Sequence, residues 1–210
     1  CEVKTLFREK NLGCGRAVAG AVSWFFEQEP EGVILEDDVL PHPDFFCFCD
    51  ALLERYRDDA RIMHISGDNF QLGLRRGAAS YYFSTFTHVW GWASWARAWK
   101  HFDLSLPGLT GFVREGLPGL IAESEGREHV RRELLRTRAG ELDTWDYPWS
   151  YAILRQGGLC AMPNHNLVSN IGFGGGTHCL STDIWAYLEP APPPELIHPE
   201  RVEADGEADL

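Results

Sequence analysis

Three adjacent acids that follow an apolar run are the first candidates for chemistry in this sequence. Val33-Ile34-Leu35 leads directly into Glu36-Asp37-Asp38. Carboxylates at the end of a buried strand repel one another and are costly to bury unless a cation compensates them. Hard divalent ions such as Mg²⁺ or Mn²⁺ bind oxygen ligands, often one or two carboxylates together with the phosphates of a ligand. The triplet therefore indicates a metal held against a phosphorylated ligand or, equally well, a solvated acidic turn without a function.

The segments around the acids predict strands that alternate with helices. The predicted strands cover residues 3–7, 33–35, 61–66, 81–86 and 159–162, and the predicted helices cover residues 13–29, 44–58, 92–100, 127–138 and 144–156. This order predicts an α/β domain with a mixed, mostly parallel sheet between helices. Ligands bind at the carboxyl ends of the strands in such a sheet. The acidic triplet would lie at one of these ends.

Composition and charge bound the domain organisation and the partners. The chain has 210 residues and a net charge of −12, which argues against a nucleic-acid surface. We expect one domain over residues 1–188 and a proline-rich acidic tail or linker over residues 189–210, a segment that carries seven acids and one arginine and has little to bury. The sequence shows no membrane-spanning run and no signal peptide. The six cysteines lack metal-site spacing, so we expect a cytoplasmic protein with reduced thiols, or one at the periphery of a membrane.

Five motifs in one order resemble a known enzyme family. The run VILEDDVLPHPDFF resembles the Glu-Asp-Asp form of the DxD motif in GT-A glycosyltransferases, and is most similar to the inverting N-acetylglucosaminyltransferases and to bacterial transferases of that type. The matching motifs downstream are Ser66-Gly67-Asp68-Asn69, Gly91-Trp92, Trp145-Asp146 and Phe173-Gly174 through Thr177-His178. The resemblance covers roughly residues 3–185. It implies a GT-A fold, with the first strands of that fold expected upstream of residue 3.

The resemblance assigns roles to the acids. It implies that Asp38 binds Mn²⁺ or Mg²⁺ directly, that Asp37 lies near the ribose or a metal-bound water, and that Glu36 faces the donor sugar. It also implies that Asp146 is the base that takes the proton of the acceptor hydroxyl. An acid in the first turn of a helix is also favourable without any catalysis, because it interacts with the helix dipole.

The resemblance assigns the remaining donor contacts to aromatic residues and to a glycine-rich loop. Trp145 would wall the sugar pocket, and Trp90 and Trp92 would shape the floor between donor and acceptor, although core packing explains Trp92 as well. Gly91, in the Gly-Trp motif, would contact the donor. The loop over residues 170–178 contains four glycines and would close over the donor as a lid. Within it, Gly174 would contact the donor. His178 would contact the diphosphate or the metal, or would simply be a surface histidine.

The sequence therefore predicts a metal-dependent inverting glycosyltransferase that moves a sugar such as N-acetylglucosamine from a UDP-sugar to a carbohydrate or other hydroxyl acceptor. Two alternatives remain. One is a non-catalytic module that binds a sugar nucleotide or a glycan. The other is a carboxylate-metal phosphohydrolase, which needs a further acid cluster for which Asp68 is the best candidate.

Overall fold

A five-stranded sheet lies at the centre of the computed structural model, which describes residues 2–121, 123–172 and 195–209. Its strands are β1 (Glu31–Ile34), β3 (Ile62–Ser66), β4 (Tyr81–Ser84), β5 (Trp92–Trp95) and β6 (Leu159–Pro163), in the order β1-β5-β3-β6-β4. Two further strands, β2 (Val39–Pro41) and β7 (Val168–Asn170), pair with each other as an antiparallel ribbon. The class is therefore α/β, as predicted.

The direction of the strands differs from the prediction of a mostly parallel sheet, which was wrong. In the described part of the chain, β3 and β6 pair in parallel, whereas the other three pairs of the central sheet are antiparallel. Two of these three pairs involve β5, which was missed because residues 92–100 were predicted as one helix. Their tryptophans recur at helical spacing, but residues 92–95 are buried without exception and extend between β1 and β3. The strand that precedes the acids is thus paired with an antiparallel neighbour.

Helices cover both faces of the sheet. They are α1 (Cys14–Phe26), α2 (Pro43–Arg55), α3 (Ala96–Trp99), α4 (Leu109–Gly111), α5 (Leu117–Leu120), α6 (Ser124–Ala139) and α7 (Asp146–Arg155), with a π-helical turn at Phe112–Gly116. Four predicted helices therefore lie where α1, α2, α6 and α7 are found. The predicted strand over residues 3–7 is not a strand in the structure. No helix among the described residues combines the length and the apolar character that a membrane span requires.

Two hydrophobic clusters hold these layers together. Neighbouring strand residues point to opposite faces, so Ile62 belongs to the cluster under α2, whereas Met63 belongs to the cluster under α1 and α7. The second cluster contains a group of tryptophans, in which the ring centroid of Trp92 lies 5.5 Å from that of Trp145 and 5.8 Å from that of Trp149. These contacts anchor the start of α7 to the sheet.

Residues 195–209 pack along the β4 edge of the sheet, in contrast to the expectation that the tail has little to bury. The Ser80 amide donates to the carbonyl of Ile197 at 2.7 Å, and the Asp205 amide donates to the carbonyl of Phe83 at 2.7 Å. The β4 edge is therefore hydrogen-bonded to the carboxy-terminal segment.

Candidate functional site

A cavity of about 330 Å³ opens where β1 ends and α7 begins. Five of the residues that were predicted to form the site line it: Glu36, Asp38, Trp90, Trp145 and Asp146. The other lining residues are Cys14, Val39, Val89, Glu133, Leu142, Thr144, Tyr147 and Asn170. The fold thus brings acids from distant parts of the sequence to one cavity, which we call the acidic cavity.

Burial and the neighbouring carboxylates both disfavour the charged form of Glu36. Burial, followed by the negative charges of Asp38 and Asp146, raises the pKa of Glu36 to about 6, while a hydrogen bond with the Trp145 side chain opposes the rise. Among the residues that the structure describes, no lysine, arginine or histidine forms an ion pair with Glu36, Asp38 or Asp146. The cavity therefore has a negative charge that these residues leave uncompensated, and a cation would relieve it.

The β2–β7 ribbon fixes the position of Asp38. The register pairs Val39 with Asn170, and the Ile171 amide donates to the Asp38 carbonyl at 2.8 Å. A Cβ atom on Gly172 would lie 2.6 Å from Asp38 Oδ2 and 3.1 Å from Asn170 Oδ1, so the backbone can approach both oxygens only with glycine at this position. The ribbon therefore places the Asp38 carboxylate and the Asn170 amide oxygen around Gly172, whose amide donates to Asn170 Oδ1 at 2.8 Å.

Asp146 is half-buried at the first position of α7 and has one oxygen engaged. Its Oδ1 accepts a short hydrogen bond from the Thr144 hydroxyl and another from the Tyr147 amide at 2.8 Å. Within the described chain no hydrogen bond is found to Oδ2. These bonds fix the side chain and leave one oxygen available to a ligand in the cavity.

A second acid holds the loop that leads to Asp146. Asp143 accepts hydrogen bonds from the backbone amides of Cys14 at 2.9 Å and Gly15 at 3.1 Å, the first residues of α1. The amides at the start of a helix have no partner inside it, and a carboxylate there also interacts favourably with the helix dipole. This contact ties residues 142–145 to α1 on one side of the acidic cavity.

Two predicted donor-binding residues do not line the acidic cavity. Asp37 is exposed in the turn between Glu36 and Asp38. Gly91 is buried with a φ of 67°, and a Cβ atom there would lie 3.0 Å from a methyl group of Val168 and 3.2 Å from one of Leu35. Its role in the structure is to allow close packing behind the cavity. The predictions for Gly174 and His178 fall outside the described residues.

Several residues of the cavity were not predicted from the sequence. Thr144 and Tyr147 flank Asp146, and a hydroxyl two residues before an acid was a signal for the contact that fixes Asp146. Asn170 was placed in a loop, because strands as short as β2 and β7 give little pattern to recognise. Asp68, considered as a further metal-site acid, is fully buried and lies outside the cavity lining, with Oδ1 3.6 Å from His88 Nδ1.

No protein-family model matches the sequence, and no curated protein matches it.

The oxygen-rich lining fits a divalent cation that is shared with a ligand. The described residues contain no group of three or more histidine, cysteine, aspartate or glutamate side chains placed to hold a metal alone. Asp38 and Asn170 nevertheless both line the cavity and carry hard oxygen atoms. Mg²⁺ and Mn²⁺ sites often consist of one or two carboxylates completed by phosphate and water. This arrangement therefore suits a metal that binds together with a phosphorylated ligand.

Proposed function

We propose that the protein is a metal-dependent glycosyltransferase of the GT-A type, which transfers a sugar such as N-acetylglucosamine from a UDP-sugar to a hydroxyl acceptor with inversion. The observation that supports it best is the convergence of Glu36, Asp38 and Asp146 on one cavity without a cationic partner among the described residues. The ordered motifs that resemble this family supply the reaction class, which the cavity alone does not specify.

In this proposal Asp38 holds Mn²⁺ or Mg²⁺, with the amide oxygen of Asn170 beside it. The ion supplies electrostatic stabilisation of the negative charge that develops on the leaving diphosphate. Glu36, which lines the same cavity, accepts hydrogen bonds from hydroxyl groups of the donor sugar.

Asp146 is the proton acceptor in the proposed reaction. The acceptor oxygen forms a bond to the sugar carbon while the bond from that carbon to the diphosphate oxygen breaks on the opposite face. The hydroxyl proton passes to Asp146 Oδ2, which is the oxygen without a hydrogen bond in the described structure. Thr144 and the start of α7 hold Oδ1 and so orient the carboxylate.

Trp145 and Trp90 supply the apolar part of the site. Trp145 is 2 % exposed and packs on Trp92, so it is a rigid wall that also lines the acidic cavity. Trp90 is half-buried in the same lining, and its aromatic surface can pack against the apolar face of a sugar and exclude water, which strengthens the electrostatic interactions in the site.

A non-catalytic sugar-nucleotide-binding module is the second candidate. The bonds that Asp146 accepts from Thr144 and Tyr147 are also those of an acid that merely supports a helix start. The phosphohydrolase receives no comparable support, because Asp68 is buried away from the other acids.

The test is a panel of UDP-sugars incubated with the protein and Mn²⁺, with release of UDP as the readout. We expect release that depends on Mn²⁺, stops on chelation and is fastest for one sugar. Binding of UDP with Mn²⁺ but without cleavage of any donor would favour the non-catalytic module. The absence of both binding and cleavage would contradict the proposal.

A further inference from the structure

A second cavity, of about 280 Å³, lies next to the acidic cavity and shares three lining residues with it: Val89, Asp146 and Tyr147. It is enclosed by α6, α7 and the segment 86–89. The carboxylate of Asp146 therefore lies at the boundary between the two cavities. A molecule in the second cavity can present one group to Asp146 while the acidic cavity holds another ligand.

The walls of the second cavity are largely apolar. The apolar side chains are those of Phe86, Val89, Val130, Leu134 and Leu154. Three of them belong to the hydrophobic cluster that α6 and α7 form, and a fourth, Phe86, packs against it. The cavity is thus an opening in a hydrophobic core, placed beside an acid.

Four of the polar side chains in this cavity are hydrogen-bonded in two pairs. The hydroxyl groups of Thr87 and Ser150 share a short hydrogen bond, and His129 Nε2 lies 3.2 Å from the Tyr147 hydroxyl. A sugar in this cavity would lose water from several hydroxyl groups. Of the lining atoms, Asp146 Oδ2 and His88 Nδ1 lack a hydrogen bond in the described structure, and these two are too few partners for those hydroxyl groups. An apolar molecule with one hydroxyl group would have no such cost.

We propose that the second cavity is the acceptor subsite and that it takes an alcohol or phenol with a compact apolar body, whose hydroxyl group meets Asp146. This inference rests on the proposed function, because it uses Asp146 as the base. The size is suitable: an apolar cavity of about 150 Å³ can hold benzene, so about 280 Å³ admits one ring with a short substituent.

Binding without a donor is the first test, and benzyl alcohol is the probe. We expect the amide signals of α6 and α7 to shift on titration. Val130 is buried in the cavity wall, so Val130→Phe fills the space and should weaken binding by roughly tenfold or more, since the ring can no longer be buried. Val202→Phe makes the same substitution outside both cavities, and this control should bind benzyl alcohol with the affinity of the wild type.

A second variant keeps the test decisive if Val130→Phe does not fold. Val130→Ala enlarges the cavity and should shift the binding preference from benzyl alcohol towards the larger naphthylmethanol. If benzyl alcohol does not bind the wild type, or if Val130→Ala leaves the preference between the two alcohols unchanged, the assignment of the second cavity as the acceptor subsite is wrong.

Transfer from UDP-N-acetylglucosamine with Mn²⁺ is the closing experiment, with benzyl alcohol and methyl mannoside as competing acceptors. We expect the benzyl glycoside as the main product of the wild type. In Val130→Phe the ratio of transfer to hydrolysis of the donor should be lower. Efficient transfer to methyl mannoside with none to benzyl alcohol would overturn the acceptor assignment alone. Failure of Mn²⁺-dependent UDP binding, with benzyl alcohol still bound, would instead contradict the proposed function and with it the acceptor role.

Discussion

At the residue scale, the central question is whether Asp146 is a base or only part of a helix start. The two oxygen atoms of its side chain differ: Oδ1 bonds to Thr144 and Tyr147, while Oδ2 lacks a hydrogen bond within the described chain. A helix-supporting acid needs its charge near the first turn, whereas a base needs a basic oxygen that a ligand can reach. The two roles can be separated by removing basicity and retaining shape.

Asp146→Asn makes that change. We expect donor binding to stay nearly intact and transfer to fall by about 10²–10⁴-fold, the usual contribution of a general base. The free energy of unfolding, measured in urea, should change by no more than about 0.3–1 kcal/mol, which is the contribution of an acid at a helix start. Glu125→Gln, in the exposed first turn of α6, is the matched control and should keep full transfer. Transfer near the wild-type rate in Asp146→Asn would remove this residue from the mechanism.

The acidic triplet also shows what residue types can and cannot predict. A strand end with three carboxylates predicted an acidic site, and Glu36 and Asp38 do line the cavity. Which of the three face inwards depends on the turn at residues 37–38 and on the ribbon that follows it. Neither was recognisable in the sequence, so the exposure of Asp37 was not predicted.

At the element scale, a buried hydrogen bond joins β3 to α7. The Trp149 indole donates to His64 Nδ1 at 3.1 Å, so His64 is neutral and its Nε2 donates to the His88 carbonyl at 2.7 Å. Burial lowers the pKa of His64 to about 4. The helix that carries Asp146 is therefore attached to the sheet through a histidine that must remain unprotonated.

The pH dependence of stability should reflect His64. Its folded pKa is lower than the unfolded value of about 6.5, so the unfolded chain binds the proton first as the pH falls. The contribution of neutral His64 to the free energy of unfolding is complete above a pH of about 6.5. It declines towards pH 4 by up to about 1.4 kcal/mol per pH unit. The raised pKa of Glu36 acts in the opposite direction, because the folded state then binds the extra proton.

Comparison of the wild type with His64→Gln isolates the contribution of His64 to the pH dependence of stability. We expect the free energy of unfolding, measured in urea without divalent ions, to fall less steeply between pH 6.5 and 4.5 in the variant than in the wild type. In the wild type, nitrogen chemical shifts should show Nδ1 of His64 unprotonated throughout this range. Equal slopes, or a protonated ring at pH 5.5, would contradict the account of the β3–α7 contact.

At this scale the apolar pattern of the sequence predicted where most elements lie, but not how the strands pair. The positions of four helices and of the strands β3, β4 and β6 were predicted, because each has a clear apolar period. The Trp92–Trp95 strand was missed, since its tryptophans also fit a helical period. That error accounts for two of the three antiparallel pairs, and the third, β4–β6, was not predicted either, because the direction of pairing depends on contacts between distant segments.

At the scale of the whole molecule, the carboxy-terminal segment is part of the folded structure. Asp209 accepts three hydrogen bonds at the end of β4: from the Ser84 hydroxyl at 2.5 Å, the Thr85 amide at 3.0 Å and the Thr85 hydroxyl at 2.7 Å. The acidic, proline-rich composition predicted little burial here. Composition describes the average of a segment, whereas a single well-placed acid decides whether its end is bonded to the sheet.

Asp209→Ala should destabilise the protein by about 1–3 kcal/mol, because three donors at the sheet edge lose a charged acceptor. Urea denaturation measures this change. Glu207→Ala is the control: it removes a neighbouring acid whose oxygen lies 3.8 Å from Arg76 and whose side chain is 89% exposed, and it should cost little. Equal, small effects of the two variants would show that the segment contributes nothing through Asp209.

The central claim is that the acidic cavity binds a metal together with a nucleotide diphosphate, and calorimetry of UDP binding with Mn²⁺ tests it most directly. Asp38→Ala removes the carboxylate beside Asn170, and Asp50→Ala removes an exposed acid on α2 as the matched control. We predict Mn²⁺-dependent binding of UDP to the wild type and to Asp50→Ala, and its loss in Asp38→Ala with the melting temperature preserved. Unchanged UDP affinity in Asp38→Ala, or binding that is independent of Mn²⁺, would contradict the account.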